Sequence, residues 1–560
     1  MTVAAGIDIG NSTTEVVLGQ LTGAGVQVLG CGRAPTRRAK GSPESLDSAA
    51  ALVRRLERSH GVRAAVAVAT HLRPVGTRTA TLPEPDAATG RLRIVAAGVG
   101  TAGGSGYGVG RPHRVGDPVA GTDALVAVVP AGTGYRRAVQ DAAELSRAGR
   151  LADVALADDE AVLVANRLQG SVPVVDEVDV EVLLAAELVA IEVAEPGRPM
   201  RMLCDPLRMI DAFGLADAER GDAARLTARL YDFANAVVSL GGRQATAARS
   251  PGGWAEVAGI RLPFAQANEA LRAAAVGAAR AYALPPSHEP RPVDDLWTVD
   301  LSAVADTVLT RGGGAGLRAI GLAALHADAP YRSPGAALAE RLGTRVEVAE
   351  SEAVAAWAGA VSTPGAGALS LSEADAAVVI DLGGGTVDTV SRSAAVVAAG
   401  GGELLTASVA ALTDTTGAAA EWVKRGPAAR VEAPQILLGE DGGREFLDRP
   451  APADTIGSLV VRGPAGLLAF HRVLAPGEWR ALRLRLKVEL LGANVARGLR
   501  TLGEAPQTVV AVGGAAGDDE VLSAISRALP AGVAVGRGNV AGCLGHRYAV
   551  AYGLLTTLAR

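Results

Sequence analysis

Cysteine, lysine, charge imbalance and long apolar runs are what this sequence lacks. Its three cysteines, Cys31, Cys204 and Cys543, are too far apart for a disulfide framework or a cysteine zinc site, and they fit a reducing compartment. A net charge of −5 leaves no electrostatic footprint for nucleic acid. No run of about 18 uninterrupted apolar residues occurs, so no membrane span is expected. The first residues already read as a strand, with neither a basic region nor an apolar signal core, so the expected location is the cytoplasm. Lysine occurs only at 40, 424 and 487, whereas arginine supplies 51 of the 54 basic residues. Together with 70 glycines, that bias reflects coding composition rather than function, yet it makes each lysine worth inspecting. What remains is a 560-residue chain, 49% hydrophobic and 20% charged, long enough for several α/β domains with large cores.

One pattern occurs twice. Ile7-Asp8-Ile9-Gly10-Asn11-Ser12-Thr13-Thr14-Glu15 and Ile380-Asp381-Leu382-Gly383-Gly384-Gly385-Thr386-Val387-Asp388 align residue for residue at an offset of 373. Each reads aliphatic, Asp, aliphatic, glycine, small or polar residues, Thr, and finally an acid. Apolar runs flank both copies, so each predicts a β-hairpin with a glycine- and hydroxyl-rich turn. Glycine lets the backbone approach an anion closely, and freed N–H groups beside hydroxyls can cradle phosphate. An Asp at the strand end suits a hydrated Mg²⁺. A single such turn is an ordinary loop; two in register predict two lobes closing on one nucleotide.

The rest of the chain reads as alternating strands and helices. Ser42-Pro43-Glu44 opens a helix with stripe Leu46, Ala49, Ala50, Val53 and Leu56 and a stop at Gly61. Gly98-Val99-Gly100-Thr101-Ala102-Gly103 satisfies G-x-G-x-x-G, but glycines run on to Gly110 with Pro112 behind them. No helix starts there, and the dinucleotide reading fails. Strands are predicted over 91–97, 124–129, 154–157 and 162–165, a helix over 135–148, and acidic turns at 158–160 and 176–181. Those acids are solvated turn residues or a hard-cation site. A helix is predicted over 265–283, followed by a break at Pro285, Pro286, Pro290 and Pro292. A long Arg/Leu helix is expected over 478–502, and Val509 to Ala516 is a buried strand ending in glycines. The expected domains are 1–90, an insertion over 91–252, a helical linker region over 253–300, and 301–560 with an unassigned insert around 400–480.

These motifs resemble, in order, those of the actin, sugar-kinase and heat-shock chaperone ATPase superfamily: its two phosphate loops, its connecting helix (350–359), its adenine clamp (Glu421, Trp422, Val423, Lys424) and its adenosine loop (Gly513, Gly514, Ala515). More narrowly, AGIDIGNSTTEV (5–16), GGSGYGVG (103–110), VLVANRL (162–168), PVVDEV (173–178), AAELVAIEVAEPG (185–197), GRGNV (536–540) and RYAVAYGL (547–554) are similar to the large subunit of the diol/glycerol dehydratase reactivating factor. The resemblance implies duplicated actin-like (ribonuclease H-like) α/β ATPase lobes with an inserted α/β swivelling domain. It implies an ATP-dependent chaperone-like role, in which damaged cobalamin is released from a coenzyme B12-dependent diol or glycerol dehydratase so that intact adenosylcobalamin can bind. Small-subunit and dehydratase partners are implied as well, with residence in a microcompartment left open. So is Mg²⁺ or Ca²⁺ at a subunit junction, on Thr101, Asp159 and Asp176. The turn at 158–161 and Ala515-Ala516 depart from the family's usual residues.

Carried onto this chain, Asp8 and Asp388 hold Mg²⁺ through water with Asp381 behind them. Asn11, Ser12, Thr13, Gly383, Gly384, Gly385 and Thr386 bind phosphate oxygens, and Glu350 or Glu352 orients the attacking water. Two rival classes share the fold, a small-molecule kinase and an actin-like filament protein.

Overall fold

The computed structural model describes residues 2–23, 25–83, 88–89, 91–98, 102–168, 172–195, 198–228, 230, 233–241, 253–284, 289–308, 317–327, 332–364, 377–463 and 465–559. They form two compact units. One comprises Met1–Leu82, Gly253–Val308 and Ala319–Arg560, and the other draws chiefly on Pro83–Gly252.

Two five-stranded sheets of the first unit are built alike. The first runs Arg345–Ala349, Val66–Thr70, Thr2–Ile9, Thr13–Thr22, Gly25–Pro35 across the sheet. The second runs Ala534–Arg537, Thr508–Val512, Ala377–Leu382, Thr386–Val390, Ala395–Ala399. In each, an antiparallel meander of three strands is extended on one side by two parallel strands. The repeated sequence pattern is therefore a repeated register: Asp8 pairs across its hairpin with Glu15, and Asp381 with Asp388. This is the duplicated actin-like plan.

Local chemistry explains the packing. Ser42 caps helix Pro43–His60 by accepting from Ser45 N at 3.2 Å, and Gly61 stops it in the left-handed conformation at φ 64°. The predicted stripe Leu46, Ala49, Ala50, Val53 and Leu56 is buried on the first sheet, beside Ile7, Ile9, Val16 and Leu18. The other face carries helices Glu352–Ala360 and Ala549–Leu558, which cross so closely that a Cβ at Gly553 would lie 1.8 Å from Ala355 O.

Elsewhere the structure corrects the sequence. Residues 253–300 are mostly strand: Trp254–Val257, Ile260–Pro263, Ala279–Ala283 and Arg291–Asp300 join Leu317–His326 and Gly76–Pro83 in a six-stranded sheet. The helix predicted over 265–283 is confined to Phe264–Ala273, because Ala274 is extended and Gly277 turns the chain at φ 80°. Of the proline break, residues 285–288 lie outside those described, and Pro292 sits within a strand. The unassigned stretch holds a small antiparallel sheet ordered Arg444–Phe446, Ile436–Gly439, Ala429–Ala433, Leu459–Gly463, Gly466–His471, packed on Val431, Leu437, Ala451 and Val460. The long helix forms as Pro476–Lys487 and Ala493–Leu502, joined by a wide i→i+5 turn over Val488–Gly492.

The second unit is one eight-stranded mixed sheet. Val174–Val175, Leu151–Leu156, Leu125–Val129 and Gly106–Arg114 are parallel neighbours, and Ala186–Val193, Asn235–Gly241, Leu92–Ala97 and Ala88–Thr89 continue antiparallel. The G-x-G-x-x-G stretch leads into strand Gly106–Arg114, not a helix. Residues 161–165 form a short helix where a strand was expected. Among the described residues no helix is long and apolar enough to cross a membrane.

Candidate functional site

The two glycine turns meet tip to tip in the first unit. A Cβ at Gly384 would lie 2.4 Å from Ser12 Oγ, and one at Gly385 would lie 2.9 Å from Asn11 Nδ2, so glycine is required for the approach. The first turn closes by Gly10 N donating to Thr13 O at 2.9 Å, with Thr36 Oγ1 donating to Gly10 O. The second is held from behind: Gly400 N, Gly402 N and Glu403 N donate to Gly385 O, Gly383 O and Gly384 O at 2.8, 2.9 and 2.9 Å.

Beneath the turns lies a cluster of acids. Asp8, Asp381, Asp388 and Glu352 interact across it, and one Oδ of Asp8 and one of Asp388 are buried without a hydrogen-bond partner. Burial first, then Glu352 and Glu15, push Asp381 up to about 7. Burial, reinforced by Glu352, raises Asp8 well above the usual carboxylate range, and burial with Asp381 and Glu352 does the same to Asp388. The opposing cation is Lys40, whose Nζ lies 3.2 Å from Glu352 Oε2. Burial favours the neutral amine, but Glu352, Asp8 and Asp388 outweigh it and hold Lys40 protonated. A hydrated dication suits this excess of buried carboxylate. Among the described residues no three acids, histidines or cysteines are close enough to ligate a metal directly. Of the two candidate glutamates, Glu352 belongs to the cluster and Glu350 is exposed.

Sequence reasoning flagged lysine scarcity without giving Lys40 a role. All three lysines are paired with acids, Lys487 fully buried and the other two partly so: Lys424 Nζ lies 2.6 Å from Glu421, and Lys487 Nζ lies 2.6 Å from both Asp518 and Glu520. Lys424 also donates to Gly402 O and Thr406 Oγ1, at 3.0 and 2.6 Å. Against burial, Lys424 and Arg425 pull the Glu421 carboxyl down to about 2. Trp422 is half-exposed under the Arg425 guanidinium, whereas Val423 points into the core. The third glycine loop backs onto the cluster: a Cβ at Gly513 (φ 86°) would lie 2.3 Å from Asp381 Oδ1. Gly514 is exposed beside Arg547, and Ala515 is half-buried.

Glu403 was not foreseen. Its carboxylate accepts from Asn11 Nδ2 at 2.9 Å and from Ser12 Oγ at 2.7 Å. Its one sequence signal is its position just after Gly400-Gly401-Gly402. Thr13 lies at the start of the outgoing strand.

In the second unit Asp159 is exposed and Asp176 is buried, with Asp176 Oδ2 accepting from Ala161 N at 2.8 Å. Thr101 lies outside the described residues. Among the described residues this neighbourhood does not assemble a cation site by itself.

Comparison with known proteins agrees with this architecture. Residues 288–558 match the family model described as the diol dehydratase reactivase ATPase-like domain, and residues 94–253 match that of the DD-reactivating factor swiveling domain. The propanediol dehydratase-reactivating factor large subunit of Citrobacter freundii is 28% identical over 637 residues, covering 99% of this chain and 98% of that one. The diol dehydratase-reactivating factor large subunit of Klebsiella michiganensis is 28% identical over 634 residues, with the same coverage of 99% and 98%. A solved glycerol dehydratase reactivase superposes with a TM-score of 0.63 at 26% identity, over 99% of each chain. A diol dehydratase-reactivating factor in nucleotide-free form gives 0.64 at 26% identity over 100% of each. With both domain models matched in order and the similarity running end to end, the chain belongs to the diol dehydratase reactivase family.

Proposed function

We propose that this chain is the ATP-hydrolysing large subunit of a reactivating factor that works with a small subunit on a coenzyme B12-dependent diol or glycerol dehydratase, releasing damaged cobalamin. The observation that carries the reading is the meeting of the two acid-and-glycine turns over a buried acid cluster with Lys40 as its cation. Asn11, Ser12, Thr13 and the N–H groups of Gly383 to Thr386 bind the phosphate oxygens, and Lys40 offsets charge at the reacting end. Glu352 orients the attacking water, whose oxygen bonds to the terminal phosphorus as the bond to ADP breaks. Asp8 and Asp388, with Asp381 behind them, would hold a hydrated Mg²⁺, which would neutralise charge on the phosphoryl group. Preorganised electrostatics of this kind carry most of phosphoryl transfer. Glu421, Lys424 and Gly513 to Ala515 flank the adenosine. The same reading places a junction cation on Thr101, Asp159 and Asp176, completed by the small subunit.

Hydrolysis does work on a partner only if the ATP and ADP forms bind that partner with different affinity. The test is phosphate release by the full chain with Mg-ATP, together with co-precipitation of a small subunit and a dehydratase in each nucleotide state. Hydrolysis with nucleotide-dependent capture is expected. Absence of hydrolysis, or equal capture with ATP and ADP, overturns the proposal.

A further inference from the structure

We propose that Glu403 sets the chain's affinity for the phosphate tail of a nucleotide, by occupying with its own carboxylate the donors that the tail needs. This rests on the nucleotide reading above and deepens it.

Three observations meet at this residue. Its Oε1 and Oε2 accept from Ser12 Oγ at 2.7 Å and Asn11 Nδ2 at 2.9 Å, two of the side-chain donors that the first turn offers to an anion. Its backbone N donates to Gly384 O at 2.9 Å, so one residue is hydrogen-bonded to both glycine turns. It also stands on the first turn of helix Gly402–Thr413, where Gly402 O and Thr406 Oγ1 receive Lys424 Nζ at 3.0 and 2.6 Å. The helix thus touches the phosphate end through Glu403 and the adenosine end through Lys424.

The physics follows from charge. Asn11 Nδ2 already shares its protons between Val75 O, at 3.0 Å, and Glu403, and Ser12 has a single hydroxyl proton. A phosphate oxygen and a carboxylate cannot both take these donors, and at hydrogen-bond separation they repel. Phosphate binding therefore requires the Glu403 side chain to swing away. In the absence of nucleotide the carboxylate keeps the donors ordered, at a cost in affinity.

The test is calorimetric titration of the full chain, as wild type, Glu403→Ala and Glu403→Gln, with Mg-ATP and separately with adenosine. Removing a charged hydrogen-bond competitor should tighten ATP binding about tenfold in both variants. Adenosine affinity should stay unchanged, since adenosine carries no phosphate. Gln keeps the length of the side chain, so a gain shared by both variants isolates the charge. ATP affinity unchanged or weakened in both variants overturns the proposal, and so does an equal change for adenosine, which marks a packing role. If neither wild type nor the variants bind ATP, the nucleotide reading itself falls.

Discussion

The two hairpins share strand order, register and turn, and they part company at the corresponding positions Glu15 and Asp388. In the first, Glu15 is satisfied: one oxygen meets Arg547 Nη1 at 3.0 Å and the other accepts from Tyr548 N at 3.0 Å, at the start of the closing helix. In the second, Asp388 is buried with one oxygen unpartnered, its charge opposed by Asp381 and Glu352. The aligned pair Gly6 and Val379 diverge in the same sense. A Cβ at Gly6 would lie 1.9 Å from Ala551 O of the closing helix, whereas Val379 is an ordinary core side chain. Duplication supplied one scaffold twice. At this position one copy anchors the helix that closes the fold, and the other keeps an acid with an unpartnered oxygen in the shared cluster.

Substitutions at the aligned acids should therefore have opposite signatures. Asp388→Asn should lower ATP hydrolysis by about 100-fold or more while leaving the thermal midpoint unchanged or higher, because a strained buried charge is removed. Lys40→Ala should cost a comparable factor, since it leaves the acid cluster without its cation. Phosphate-release rates and calorimetric melting on the same samples separate the two effects. A large loss of stability with Asp388→Asn would refute the contrast.

Glu15→Gln should do the reverse. Breaking a mostly buried ion pair leaves Arg547 without its countercharge, and about 2–3 kcal/mol of stability should be lost. Hydrolysis per folded molecule should change far less than with Asp388→Asn. Denaturant unfolding gives the first quantity and active-site-normalised turnover the second.

How much of this was legible in the sequence depends on the element. The hairpins, their register and the helix after Ser42 were legible because glycine, hydroxyl and capping residues have few other uses. The pairing of Glu15 with Arg547 was not, for it joins residues 532 positions apart. Glu403 was equally hidden, being an ordinary acid until the turn it faces is in place. The hairpin Trp254–Val257 with Ile260–Pro263 escaped because its turn is Ala258-Gly259, both at positive φ (50° and 81°), with alanine where asparagine or aspartate usually signals such a turn. The short apolar run at 161–165 fits helix and strand equally well. Residues 429–471 defeated pattern reading because their strands are three to six residues long and largely exposed on one face.

The Gly6 and Val379 contrast gives a smaller effect. Gly6→Ala forces a methyl group against the closing helix backbone and should cost about 1–3 kcal/mol, whereas Val379→Ala should cost a similar amount by the opposite route, an unfilled cavity. Melting curves of wild type and the two single variants check both losses, and a Gly6→Ala chain as stable as wild type would refute the close contact.

The second unit repeats the contrast between a satisfied and an unsatisfied acid, without a nucleotide site to explain it. Glu192 is buried, but its carboxylate accepts from the backbone N of Arg201, Met202 and Leu203 at 2.7 to 3.1 Å. Asp153, fully buried beneath Gly108, has neither oxygen in a well-formed hydrogen bond, and burial, against a weaker pull from the Ile191 backbone, raises its carboxyl well above the ordinary 3.8. Its charge is also felt by the Tyr107 phenol, which burial, Asp153 and Glu192 push up to about 12. A raised carboxyl makes stability depend on pH in one direction. Below pH 3.8 both folded and unfolded chains carry the neutral acid and nothing is lost. As pH rises past that value the unfolded chain ionises while the folded one resists, so stability falls until the folded carboxyl ionises in turn. Asp153→Asn removes this term. Its stability should match wild type near pH 3.5 and exceed it by about 1 kcal/mol or more at pH 7, read as a gap in melting temperature that opens with pH. A gap of constant size across that range would mean that Asp153 titrates alike in the folded and unfolded chains, and a gap that turns in favour of wild type as pH rises would mean that it is ionised and paired; either outcome refutes an uncompensated acid at this position.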